Sequence, residues 1–171
     1  KIEYVAVQSF NPYTGEPATY VCAKALLNAH FNPKAADIAF EDYKPGDKLV
    51  PFKVVAEYKG TDLVGMKYEQ LLPWITPENA DQAFRVIPGD YVTTEDGTGI
   101  VHIAPTFGAD DAKVAKAAGI PPLQLIDKNG NLRPSVDLTG KFYLLSDLDD
   151  EYVKTHINVE EYKQFEGRFV K

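Results

Sequence analysis

Three side chains near the middle of the sequence have the chemistry to act together on a small charged ligand. They lie in the segment Gly97–Asp111, GTGIVHIAPTFGADD, which contains His102 and ends with the carboxylates of Asp110 and Asp111. An imidazole can line a polar pocket or exchange a proton near neutral pH, and an ionised carboxylate can pair with an ammonium group. The arrangement of these residues therefore indicates a pocket for a small charged ligand.

The pattern around these residues predicts the elements that position them. Ile100–Ala104 is rich in β-branched residues and is predicted to form a short strand, in which His102 is the one polar residue. A proline ends that strand, and the alanine-rich stretch after it is predicted to form a helix that begins within about two residues of Asp110 and ends near Gly119. Because the connection between strand and helix is short, we expect His102 and Asp111 to open onto one shared cleft.

Short strands separated by glycine-containing turns dominate the rest of the sequence. A helical stretch follows a strand-like start within Ala18–Phe31, Lys59–Asp62 is predicted to be a hairpin turn, and the charged tail from Asp147 to Lys171 is helical in character. Further strands are predicted at Ile2–Gln8, Lys48–Tyr58, Leu63–Leu72, Ala83–Ile87, Tyr91–Thr94 and Leu123–Asp127. This pattern predicts an α+β, β-rich fold with a β-barrel core and peripheral helices.

Composition limits the classes of function. The 171 residues are 44% hydrophobic, which is enough for the core of one domain, and they include no apolar run long enough to span a membrane and no signal peptide. The single Cys22 fits a reducing compartment, and one cysteine with three scattered histidines makes a structural zinc site improbable. The net charge of −7 argues against tight, autonomous RNA binding, but it is compatible with contact to one RNA terminus while other domains supply affinity.

Three segments resemble the editing domain of class I aminoacyl-tRNA synthetases, the hydrolytic domain inserted into the isoleucine, valine and leucine enzymes. They are Gly97–Asp111, Leu63–Pro73 (LVGMKYEQLLP) and Ala83–Thr93 (AFRVIPGDYVT). The isoleucine type is the most similar, because the valine enzymes usually carry Lys at the position of His102. Gln70 departs from the family pattern, which commonly has Pro there.

The resemblance implies an activity and a set of site residues. A domain of this family hydrolyses valyl-tRNA(Ile) to valine and free tRNA, and Asp111 matches the acid that binds the α-ammonium of the misattached amino acid. His102 is implied to line the pocket and exclude the isoleucyl group, with a general-base role as the less favoured alternative. The substrate-binding candidates are Thr106, Phe107, Gly108 and Asp110, although Phe107 also suits a core position and Asp110 a helix cap or a solvated surface. No metal ligands are implied.

The resemblance also implies what this domain lacks and what it works with. The family carries a threonine-rich strand of the type WTTTPWTLP, which does not occur in this sequence, so we expect residues 1–171 to be an excised fragment of the editing domain with little activity alone. We expect no cofactor in this domain, and ATP and Mg²⁺ in a separate synthetic domain of the parent enzyme. The expected partners are the 3′ end of tRNA(Ile) and the rest of a cytoplasmic synthetase, with no membrane.

The sequence is also compatible with two other functions. One is a free-standing deacylase that acts on small aminoacyl esters, against which the abrupt ends and the missing threonine-rich strand argue. The other is a non-catalytic binding module with a decayed editing fold, which would be indicated by loss of the acid at position 111. That acid is present.

Overall fold

The computed structural model describes residues 1–171, in which five strands and five helices alternate with short 3₁₀ turns. The strands are β1 (Glu3–Phe10), β2 (Pro17–Ala23), β3 (Lys53–Lys59), β4 (Leu125–Ile126) and β5 (Leu132–Arg133). The helices are α1 (Leu27–His30), α2 (Gly60–Leu63), α3 (Ala109–Ala118), α4 (Asp150–His156) and α5 (Val159–Tyr162). The chain divides into two compact units, each with its own core.

The first unit, Lys1–Met66 with Val86–His102, is built on a three-stranded antiparallel sheet in the order β2-β1-β3. Five of the eight residues of the central strand β1 are buried, and the strand has a neighbour on each edge. Val5 and Val7 of β1 pack with Phe52, while Tyr4 packs in a second cluster with Leu63 of α2.

The second unit, Lys67–Arg85 with Ile103–Lys171, contains the β4–β5 hairpin and α3, α4 and α5. Its core is aromatic: Trp74 stacks on Phe165 with ring centroids 4.1 Å apart, and Tyr162 is fully buried beside them. The Tyr162 hydroxyl donates to the carbonyl of Tyr143 at 2.7 Å, and burial raises the pKa of Tyr162 well above its ordinary value. The buried hydroxyl of Tyr162 therefore has a hydrogen-bond partner, which offsets the free-energy cost of removing it from water.

The mixed α and β composition predicted from the sequence is confirmed, and so are β1 and the strand-to-helix transition within Ala18–Phe31. The barrel is not confirmed, since the sheets have three and two strands and no closed barrel is formed. The hairpin turn predicted at Lys59–Asp62 is wrong: Gly60 instead begins the one-turn helix α2, which Asp62 stabilises by accepting from the Lys59 N–H at 2.8 Å.

Several predicted strands are also absent. Ile100–Ala104 and Tyr91–Thr94 form no strand, because no neighbouring segment offers them a ladder of backbone partners. Leu63–Leu72 and Ala83–Ile87 are reduced to one isolated antiparallel bridge at Lys67 and Arg85. Here Phe84 has a φ of 52°, a left-handed conformation that interrupts any regular strand.

None of the helices is long and apolar enough to cross a lipid bilayer.

A single carboxylate organises the turn between β4 and β5. The side chain of Asp127 is 11% exposed, accepts from the backbone N–H groups of Asn129 and Asn131 at 2.9 Å, and pairs with Arg133 Nε at 2.8 Å. The backbone hydrogen bond from Asn131, followed by the bond from Arg133, lowers the pKa of Asp127 to about 2. The ionised form is therefore the one that stabilises the turn.

Replacing Asp127 by Asn is expected to lower the thermal unfolding temperature by a pH-dependent amount. The carboxyl has a pKa of about 2 when folded, against an ordinary value of 3.8. Its contribution is therefore complete above about pH 5 and is lost as the pH falls from about 4 to about 2. The unfolding temperatures of the two proteins should differ by a constant amount near neutral pH and converge in acid. A difference that does not change with pH would contradict the prediction.

Candidate functional site

The glycine turn before His102 is fixed on the first unit. The hydroxyl of Tyr4 donates to the carbonyl of Gly99 at 2.7 Å, and the N–H of Ala23 donates to the carbonyl of Thr98 at 2.8 Å. Gly99 has a φ of +73°, and a Cβ there would lie 2.6 Å from the Cβ of Ala23. Only glycine fits this close approach, so Gly99 of the motif is a backbone requirement.

His102 itself is exposed and makes no hydrogen bond with the protein. Its neighbours Ile100 and Val101 are also about half exposed, at 47% and 50%. The imidazole of His102 is therefore not part of the core, and it is not held by a hydrogen bond to another residue. His102 is the last residue of the first unit and Asp111 belongs to the second, so the shared cleft remains a prediction.

The second unit contains a tight loop that connects Ala104 to Asp111. The carbonyl of Ala104 accepts from the N–H groups of Phe107 and Gly108, at 3.0 and 3.1 Å. The N–H of Ala104 donates to Asp111 Oδ2 at 2.9 Å. The backbone carbonyl and the backbone N–H of Ala104 thus both close the loop, and the Asp111 carboxylate is one of the groups that hold it.

Helix α3 begins at Ala109, as the sequence predicts, and Asp111 is its third residue. Gly108 is the N-cap and has no side chain to accept from the free N–H groups. A Cβ on Gly108 would lie 3.0 Å from both Cγ and Oδ2 of Asp111, so the glycine leaves room for the carboxylate. A negative charge in the first turn of a helix stabilises the helix by about 0.3–1 kcal/mol.

Only one of the two Asp111 oxygens is used by the protein. Oδ2 holds the Ala104 N–H, while Oδ1 makes no hydrogen bond, and the side chain is half-buried. A fixed carboxylate with one free oxygen can bind a cationic group from outside the protein. Asp110 differs, because its side chain is 94% exposed and pairs at 3.2 Å with Lys113.

The other two candidates occupy the loop itself. Thr106 is half-buried, and its hydroxyl donates to the carbonyl of Leu123 at 2.8 Å. This bond ties the loop to the segment that follows α3. Phe107 is 62% exposed, which rules out the core alternative. The substrate-binding roles of Thr106, Phe107, Gly108 and Asp110 remain predictions.

Sequence reasoning missed two features of this site. The Ala104 N–H is a backbone group that no residue pattern reveals. Arg85 lies within Ala83–Thr93, but its residue type predicts no role, because its partner, the carbonyl of Ala118, is 33 residues away along the chain. No group of three or more His, Cys, Asp or Glu side chains is arranged to hold a metal ion.

Comparison with known proteins places the whole chain in one family. No family model matches, but the chain is 74% identical over all 171 residues to an isoleucine–tRNA ligase of Bacteroides fragilis. It is 66% identical over 180 aligned positions to the ligase of Bacteroides thetaiotaomicron and 56% identical over 172 to that of Porphyromonas gingivalis, again over its full length. The chain belongs to the isoleucine–tRNA ligase family.

The chain spans 15–16% of the length of these ligases. It is therefore similar to one segment of an aminoacyl-tRNA synthetase. The similarity covers both units, and the isoleucine-type resemblance noted from Gly97–Asp111 is confirmed.

Proposed function

We propose that this segment is the post-transfer editing domain of an isoleucine–tRNA ligase, and that it hydrolyses valyl-tRNA(Ile). The observation that carries the proposal is the Asp111 carboxylate, fixed through Oδ2 by the Ala104 N–H and free at Oδ1. Its free oxygen suits the α-ammonium that every aminoacyl ester presents. Pairing there orients the ester without reading the amino-acid side chain.

The reaction is the hydrolysis of an ester. A water molecule attacks the carbonyl carbon of the valyl ester, the bond from that carbon to the ribose oxygen breaks, and the ribose oxygen takes up a proton. The products are valine and tRNA(Ile) with a free terminal hydroxyl. Asp111 holds the substrate, and Thr106, Phe107 and Gly108 form the wall beside it.

Rejection of the isoleucyl ester is assigned to His102. One methylene is worth only about 1–3 kcal/mol of discrimination in an apolar synthetic pocket, so a second, hydrolytic site that excludes the larger side chain is needed. The exposed imidazole of His102 is the group we assign to this exclusion. A general-base role is the alternative, and the variants His102→Ala and His102→Gln distinguish it from steric exclusion.

The proposal includes partners from the rest of the ligase. The substrate is the 3′ end of tRNA(Ile), and affinity for the tRNA body comes from other domains because this segment has a net charge of −7. ATP and Mg²⁺ serve a separate synthetic domain of a cytoplasmic enzyme, and this segment needs no cofactor.

The 171-residue chain alone is expected to hydrolyse valyl-tRNA(Ile) at least about a hundredfold more slowly than the intact ligase, because loss of positioning contacts costs rate on that scale. The threonine-rich strand is absent, and the acidic surface gives little tRNA affinity. The measurement is single-turnover deacylation of valyl-tRNA(Ile) by both proteins, with isoleucyl-tRNA(Ile) as the control ester. Equal rates would show that the absent strand is dispensable. No hydrolysis by the intact ligase would refute the proposed function.

A further inference from the structure

Helix α3 carries Asp111 but is held by very little apolar burial. Of its ten residues only Ala115 is buried, at 1% exposed, and the rest are half-buried or exposed. A helix of this length is marginal in water by itself, and packing of an apolar face normally stabilises it. The direction of α3 therefore depends on polar contacts at its two ends.

At the N-terminal end of α3, Asp111 accepts from the Ala104 N–H, and the Thr106 hydroxyl donates to the carbonyl of Leu123. At the other end, Arg85 Nη2 donates to the carbonyl of Ala118, the last helical residue, at 2.7 Å. A cation there complements the negative end of the helix dipole and satisfies a carbonyl that has no partner within the helix.

The same guanidinium makes a second contact. Arg85 Nε donates to the carbonyl of Gln82 at 3.1 Å, so one rigid, planar group joins the end of α3 to the Ala80–Gln82 turn. Lysine presents a single flexible ammonium and lacks this fixed pair of donors.

The backbone that carries Arg85 is itself constrained. Phe84 has a φ of 52°, which is rare for an aromatic residue. Its carbonyl accepts from the Tyr68 N–H at 2.9 Å, and the preceding Ala83 is 4% exposed. Such a conformation persists only where the surroundings enforce it, and here it is enforced immediately before the residue that holds α3.

We propose that Arg85 is a positioning residue for Asp111. By fixing the C-terminal end of α3, Arg85 sets the direction of the helix and hence of the carboxylate, about 10 Å away along the helix axis. The catalytic consequence rests on the proposed editing function. The structural consequence has a readout of its own, the Ala104 N–H that donates to Asp111 Oδ2.

The structural test uses the 171-residue chain and nuclear magnetic resonance. In Arg85→Ala the Ala104 amide is expected to exchange about tenfold faster, the effect of losing one hydrogen bond to a charged group, and its chemical shift is expected to move. Arg85→Lys should show a smaller change. Arg133→Ala is the matched control, because it removes another arginine of the same unit, one that pairs with Asp127 rather than α3. An unchanged Ala104 amide in Arg85→Ala, or an equal change in Arg133→Ala, would overturn the proposal.

The catalytic test uses the intact ligase and valyl-tRNA(Ile). Arg85→Ala is expected to lower kcat/KM for deacylation about tenfold in the wild-type background, and less than about twofold when Asp111 is already Asn, because the two residues act through one interaction. Equal effects in both backgrounds would mean that Arg85 does not act through Asp111. If Asp111→Asn leaves hydrolysis intact, the proposed ammonium-binding role of the Asp111 charge fails, while the Ala104 amide still decides the role of Arg85.

Discussion

Replacing Asp111 by Ala in the intact ligase is expected to reduce valyl-tRNA(Ile) hydrolysis by at least about thirtyfold, while isoleucine activation is unchanged. The substitution leaves the substrate ammonium without its partner in a partly desolvated site. Truncating one member of such a charged pair commonly costs about 2–5 kcal/mol, or roughly thirtyfold to several thousandfold in rate. The measurement is deacylation of valyl-tRNA(Ile), with amino-acid activation assayed in parallel.

The structure shows why Asp111→Ala alone is an ambiguous variant. The carboxylate also holds the Ala104 N–H at 2.9 Å, so alanine removes a contact of the loop as well as a charge. Asp111→Asn is the matched control, because its amide oxygen can still accept from Ala104 while the charge is lost. If Asn hydrolyses the ester as poorly as Ala, the charge binds the substrate. If Asn restores hydrolysis, the role of Asp111 is to hold the loop.

Replacing His102 by Ala is expected to change which ester is hydrolysed. Removing the imidazole enlarges the space beside the substrate side chain, so isoleucyl-tRNA(Ile) should now be deacylated while valyl-tRNA(Ile) is still cleaved. Because discrimination of a single methylene is worth about 1–3 kcal/mol, the ratio of the two rates should shift by about tenfold to a hundredfold. The measurement is that ratio in the intact ligase.

The exposure of His102 makes this variant informative. The side chain makes no hydrogen bond with the protein, so its removal should leave the unfolding temperature nearly unchanged. His102→Gln, of similar size but unable to act as a base, is the control. Equal loss of valyl-tRNA(Ile) hydrolysis in the Ala and Gln variants, with no gain of isoleucyl-tRNA(Ile) hydrolysis, would identify His102 as a general base. Retained discrimination in Gln with relaxed specificity in Ala would identify it as a steric wall.

Local sequence determined the parts of this protein whose stability is local. The start of α3 follows from a glycine cap, two acids in the first turn and an alanine-rich run, and β1 follows from the strand-like pattern of Ile2–Gln8. The family could likewise be inferred from one contiguous segment, Gly97–Asp111. Such signals depend only on residues within a few positions of each other, so no tertiary information is needed to read them.

Strands and polar contacts were decided by the tertiary structure. Ile100–Ala104 has the residues of a strand but no neighbour to pair with, and its last N–H is instead taken by the carboxylate of Asp111. Phe84 adopts a left-handed conformation that its residue type disfavours. Arg85 donates to the carbonyl of Ala118 at the end of α3, 33 residues further along the chain. Each of these outcomes depends on backbone groups that the fold brings together. Because nearly every residue carries the same backbone N–H and C=O groups, the local residue pattern does not indicate which of them will meet.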